Sequence, residues 1–171
     1  MNTTSTTPNR ARRRLAAMAA VGAALAAGCA PQTPSGPKVV GQPCDAGEGV
    51  TVVVDFQKLN NTVAIGCAPG TQASGLAALT NAGFTYDEIG GFACQINSLP
   101  VEGYPACQFD AYWSYNKSDG TSPWDYSMVG ASSGPIAVDS LEGWSYSVIT
   151  PDNYDGAPIR LSVEKVLARR G

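Results

Sequence analysis

Four arginines, Arg10, Arg12, Arg13 and Arg14, run directly into an apolar stretch at 15–27 and a small-residue ending, Ala26-Ala27-Gly28-Cys29. A positive n-region, an apolar h-region and a small-residue cleavage site are the parts of an export signal. The apolar stretch has 13 residues, whereas a helix needs roughly 20 to span a bilayer, so it reads as a leader and not as a transmembrane anchor. Everything downstream is therefore expected to fold outside the cytoplasm, where disulfides form and persist.

Leu25-Ala26-Ala27-Gly28-Cys29 resembles the bacterial lipobox, in which the cysteine thiol is acylated and the chain is cut before it. That resemblance implies a lipid (palmitate-type) anchor on Cys29 and an extracytoplasmic, membrane-attached, cell-surface protein. The arginine run leaves both the general secretory and the twin-arginine export routes open. Three segments follow: a signal peptide at 1–28, a tether at 29–43 and one domain at 44–171. The stretch 30–43 carries four of the chain's 12 prolines, and in extended form it would reach roughly 40 Å from the membrane. The remaining 128 residues are one domain by length.

Charge and composition exclude several functions. The formal net charge of the whole chain is -3, but beyond residue 28 there are 7 basic against 14 acidic side chains. Such a domain has no basic footprint for nucleic acid. There is no histidine, so neither a Ser-His-Asp nor a Cys-His nucleophile can be built, nor a histidine-bearing zinc site. A hydrolase here would rest on carboxylates alone. Asp110, Asp119, Asp125, Asp139 and Glu142 are available, but nothing in their spacing selects a catalytic pair. The stretch 152–156, Asp-Asn-Tyr-Asp-Gly, has part of a calcium-loop pattern, yet Pro151 and Ser162 stand where ligands are required. A non-catalytic protein without cofactor or metal is expected.

Beyond Cys29, the cysteines Cys44, Cys67, Cys94 and Cys107 form an even set. Three pairings are open, and two disulfides are expected. Cys44 with Cys67 and Cys94 with Cys107 are favoured, because each pair brackets one hairpin-like excursion. No two of the four are close enough in sequence for a zinc knuckle.

The β-branched run at 50–56 predicts a strand, 62–67 its hairpin partner, and the apolar spacing over 74–82 the one convincing helix. Segments 84–86 and 91–97 read as extended. Seven of the ten Trp and Tyr residues fall between 112 and 146. Large residues alternate with small polar ones at 112–115 and 124–128, which predicts two strands with a turn over 116–122. A further strand is expected at 140–148, and a strand or short helix at 158–167. A hairpin, a helix and then several strands predict an α+β fold, a mixed sheet with one packed helix and additional aromatic-rich hairpins.

The hairpin at 50–67, Gly75-Leu76-Ala77-Ala78-Leu79, Phe92-Ala93-Cys94-Gln95-Ile96-Asn97, Tyr112-Trp113-Ser114-Tyr115 and Glu142-Gly143-Trp144 together resemble a bacterial domain family of unknown function. That family is similar to the C-terminal domain of transcobalamin and intrinsic factor. The resemblance covers residues 50–147. It implies a β-grasp-like fold and a soluble, corrinoid-like ligand or a protein partner. Independently of it, Trp113, Tyr115, Trp124 and Tyr126 are the candidate ligand-binding residues, a stacking surface for a planar or sugar-like group. Cross-strand packing explains the same alternation, so the alternative is a structural or adhesive envelope module without a pocket. The two differ in whether these rings line a concavity or fill a core.

Overall fold

The computed structural model describes residues 1–3, 36–101, 110–151 and 156–171. The leader at 10–28, the lipidation candidate Cys29, Cys107 and the loop residues 152–155 lie outside the described residues.

Six strands form a mixed sheet in the order β1 (Lys38–Gly41), β3 (Thr62–Pro69), β2 (Gly49–Asp55), β8 (Leu141–Val148), β6 (Ala111–Ser118) and β7 (Asp125–Tyr126). A separate hairpin joins β4 (Tyr86–Ile89) to β5 (Phe92–Ile96), and the described residues also form two short α-helices, α1 (Gly75–Asn81) and α2 (Val163–Leu167), and a 3-10 turn at Gln57–Leu59. β2 is buried along its whole length, which suits a valine-rich central strand covered on both faces. It runs antiparallel to β3 and parallel to β8.

Side-chain alternation divides the core in two. Val50, Val52 and Val54 project to the near face with Trp113, Tyr115, Trp144 and Tyr146, under α1 and the β4–β5 hairpin. Val53, Ile65 and Leu141 project to the far face, where Ile159, Leu161, Val163 and Val166 of the C-terminal segment cover them. Helix α1 begins at Ser74, whose hydroxyl accepts from the Ala77 amide at 3.1 Å, and it buries Leu76, Ala78 and Leu79.

The far face is unusually polar for an interior. Asp55, Ser114, Ser145 and Ser147 are buried there. Asp55 accepts from Arg160 through its amide at 2.8 Å and from Nη2 at 2.6 Å, and from the Gln57 amide at 2.9 Å. Ser147 Oγ accepts from the Ala157 amide at 2.7 Å. These bonds fasten the C-terminal segment to the sheet and satisfy groups that would otherwise be costly to bury.

The structure departs from the sequence expectations in three places. Lys38–Gly41, inside the expected tether, is an edge strand parallel to β3. β6 continues through Asn116, Lys117 and Ser118, expected as turn, because these residues pair with Gly143, Glu142 and Leu141 of β8; cross-strand partnership overrides a polar composition. β7 has only two residues, where 124–128 is expected. The stretch 158–167, expected as a strand or a short helix, forms a short helix at Val163–Leu167, capped by Ser162. The segments expected to be extended near 84–97 become one hairpin, turning at Gly90 and Gly91, both at positive φ. Cys44 and Cys67 are disulfide-bonded, with Cα atoms 4.6 Å apart. Cys94 is buried on β5, and its expected partner Cys107 lies outside the described residues.

Candidate ligand-binding site

On the near face, the start of β5 and the stretch 126–131 leave a concavity of about 230 Å³ above the aromatic part of the sheet. Its floor is Trp113, Tyr115 and Trp144, and Phe92, Met128 and Val129 stand at its rim. The three floor residues follow from the strand period: Trp113 and Tyr115 alternate along β6, and Trp144 lies directly opposite Tyr115 on β8. Trp113 meets Phe56 and Tyr146 edge-on, with centroids at 5.5 and 5.4 Å, and Tyr115 leans on Trp144 at 5.0 Å. Such contacts stiffen a floor before anything binds to it.

Beneath this floor lies a buried polar pair. The Tyr115 hydroxyl donates to Oε2 of Glu142, whose side chain is among the most buried of the chain at 1% exposure. Burial pushes the Glu142 carboxyl up to about 7, against the opposing pull of the Tyr115 hydroxyl and of Lys117. Burial, and then the Glu142 charge, holds the Tyr115 hydroxyl above the ordinary phenol range. Lys117, directly across from Glu142 in the ladder, places its ammonium 5.2 Å from the centroid of the Tyr115 ring. Gly75 at the start of α1 is required here, because a Cβ at this position would collide with the Tyr115 hydroxyl. The Trp113 indole N–H is buried and has no hydrogen-bond partner among the described residues.

The four candidate rings are thus divided. Trp113 and Tyr115 are nine-tenths buried or more and still line the concavity, which Tyr126, half-buried on the edge strand, borders. Trp124 is elsewhere. It packs on the far-face cluster, and its Nε1 donates to the Leu161 carbonyl at 2.8 Å. Sequence reading missed Trp144 as floor, because a lone Trp in a strand gives no sign of its opposite neighbour. It also missed the rim residues Phe92, Met128 and Val129; their exposure of 60, 89 and 57% comes from their places at the start of β5 and in the loop after β7.

None of the five acids considered for hydrolysis lines this concavity. Asp119 accepts from the Thr121 and Ser122 amides of its own loop, which holds its carboxyl down at about 2. Asp139 pairs with Arg170 at 3.3 Å, and Glu142 serves Tyr115. Cys44, Glu48 and Cys67 cluster as potential metal ligands, but the two sulfurs are bonded to each other and offer no thiolate. No helix among the described residues is long and apolar enough to cross a membrane. No protein-family model matches the chain, and neither a curated protein nor a solved structure matches it.

Proposed function

We propose that the chain is an exported lipoprotein, anchored through Cys29, whose single domain binds a partner without catalysing a reaction. The observation that carries this reading is the near-face concavity, with a rigid aromatic floor, a buried indole N–H lacking a partner among the described residues and a rim of exposed Phe92, Met128 and Val129. Exposed apolar side chains grouped around a depression mark interaction surfaces. At about 230 Å³ the concavity is smaller than the roughly 300–1,000 Å³ that encloses a drug-sized ligand. It suits one apolar side chain or the edge of a larger ligand, so a protein partner fits better than an engulfed corrinoid.

A β-grasp-like description of the sheet belongs with this proposal. Its support is the order of elements: a first hairpin of β2 and β3, then helix α1, then β6 and β7, and a last strand β8 returning beside β2 and parallel to it. Burial of Trp113, Tyr115 and Trp144 at 5, 8 and 1% exposure favours the second reading, a structural envelope module in which these rings only stabilise the sheet.

Calorimetric titration with aromatic peptide amides and with a corrinoid separates the two. Saturable heat that disappears in Met128→Asp, a substitution at an exposed rim position, supports binding. No heat from either probe with the unmodified protein leaves the structural module. Mass spectrometry of the mature N-terminus tests the anchor, and an unacylated terminus, or one away from Cys29, refutes it.

A further inference from the structure

The far face carries a second depression, between the loop after β6 and the C-terminal segment. One part, of about 350 Å³, is lined by Asn116, Trp124, Arg160 and Lys165 among others. A second part, of about 450 Å³, continues past Gly120 and Thr121. Pro123, Ser162 and Val163 line both parts, so the two adjoin along one groove wall. Each volume lies in the range that accommodates small organic ligands.

We propose that this groove binds an acidic saccharide, with a sugar ring on the face of Trp124 and its anionic group towards Arg160 and Lys165. The Trp124 ring is fixed in advance. Its Nε1 is committed to the Leu161 carbonyl, and one ring edge sits over Gly143, where a Cβ would come within 2.9 Å of Cζ3. A half-buried indole that lines the groove and is held in this way offers apolar ring carbons, and an aromatic ring attracts the C–H groups of a sugar. Little ordering is left for the ligand to induce.

The anionic preference follows from charge. Residues 156–171 hold four basic side chains and one acidic one; Arg160 and Arg170 pair with Asp55 and Asp139, so the attraction at the groove comes from Lys165 and from the N–H donors Arg160 has left. Arg160 uses Nε and Nη2 on Asp55 and Nη1 on Asn61, so two of its five N–H donors are uncommitted among the described residues. Lys165 is exposed and forms no ion pair among the described residues. Glu164 lines the second part of the groove, which places the anionic group at the Arg160 and Lys165 end. Elsewhere the acidic domain repels such a ligand, so its field confines binding to this segment.

The test is titration of the full chain with a galacturonate oligomer, a neutral glucose oligomer and inorganic phosphate, followed by tryptophan fluorescence and calorimetry. The expected result is saturable, salt-sensitive uronate binding with a change in tryptophan emission. Binding should weaken at least about tenfold for the neutral oligomer, in Lys165→Glu and in Trp124→Leu. Trp124→Phe, which keeps a packed ring, should retain most of the affinity, so a folding defect in the leucine variant is distinguishable. Met128→Asp, on the other face, should leave uronate affinity unchanged. Absence of saturable uronate binding, affinity indifferent to Lys165→Glu, phosphate binding as tight as uronate, or loss of uronate binding in Met128→Asp would each overturn the proposal.

Discussion

Replacing Glu142 with glutamine should change how stability depends on pH, and the structure sets both the sign and the size. In the unfolded chain this carboxyl titrates near 4.5, and in the folded protein burial raises it to about 7. Between these values the unfolded state has lost its proton while the folded state keeps it, so rising pH favours unfolding. The stability linked to the neutral carboxyl is fully present below pH 4.5 and is lost as pH rises through about 7. A shift from 4.5 to about 7 corresponds to about 3 kcal/mol at 1.36 kcal/mol per unit. Glutamine keeps the shape and an acceptor for the Tyr115 hydroxyl but does not titrate. Any cost of its extra amide N–H is the same at every pH and drops out of the slope.

The assay is urea unfolding of both proteins at pH 4.5, 5.5, 6.5 and 7.5. The stability of Glu142→Gln minus that of the unmodified protein should grow by about 3 kcal/mol across this series. Other carboxylates titrate alike in both proteins and cancel in the difference. Lys117→Met removes the charge facing Glu142 and should move the midpoint of this growth to higher pH. Tyr115→Phe, which removes the hydroxyl donor, should do the same. A difference that stays flat from pH 4.5 to 7.5 would refute the claim that Glu142 is held neutral by burial.

Two further outcomes test how the faces are held. Asp55→Ala leaves Arg160 without its buried partner and should cost about 3–5 kcal/mol in urea unfolding, whereas Asp55→Ala with Arg160→Met should recover part of the loss; a single-variant cost below about 1 kcal/mol would mean that this ion pair adds little to holding the C-terminal segment. Joint replacement of Cys44 and Cys67 by serine opens a bridge across a sequence separation of 23 and should lower stability by about 3 kcal/mol in the chain-entropy account. Equal midpoints for the two proteins would contradict it.

What the sequence made legible was local or periodic. The valine run of β2, the serine-capped helix α1 and the aromatic alternation of β6 each announce themselves within a few residues, and each forms where expected. What it hid depends on partners far along the chain. Asn116, Lys117 and Ser118 read as turn, yet they extend β6 because the facing residues of β8 reach that far. Lys38–Gly41 reads as tether, yet it finds the free edge of β3. The candidate rings show the same limit. Trp113 and Tyr115 fall together by strand period alone. Trp124 precedes β7 and joins the far face only because Gly143 and the C-terminal segment leave room for it. Glu142 looks like one more surface acid until its parity is combined with that of Trp144: on a strand buried on both faces, a carboxylate two residues from a core tryptophan must also point inward. The same consideration applies to Asp55, on the opposite face of the neighbouring central strand. The two buried carboxylates are satisfied differently, Asp55 by a guanidinium and Glu142 chiefly by a tyrosine hydroxyl, and burial pushes Glu142 up to about 7. A cation that Asp55 can bond directly reaches the far face from the C-terminal segment, while on the near face Lys117 stops over the Tyr115 ring without forming an ion pair among the described residues. The pH response that Glu142 confers should therefore be a property of the aromatic face.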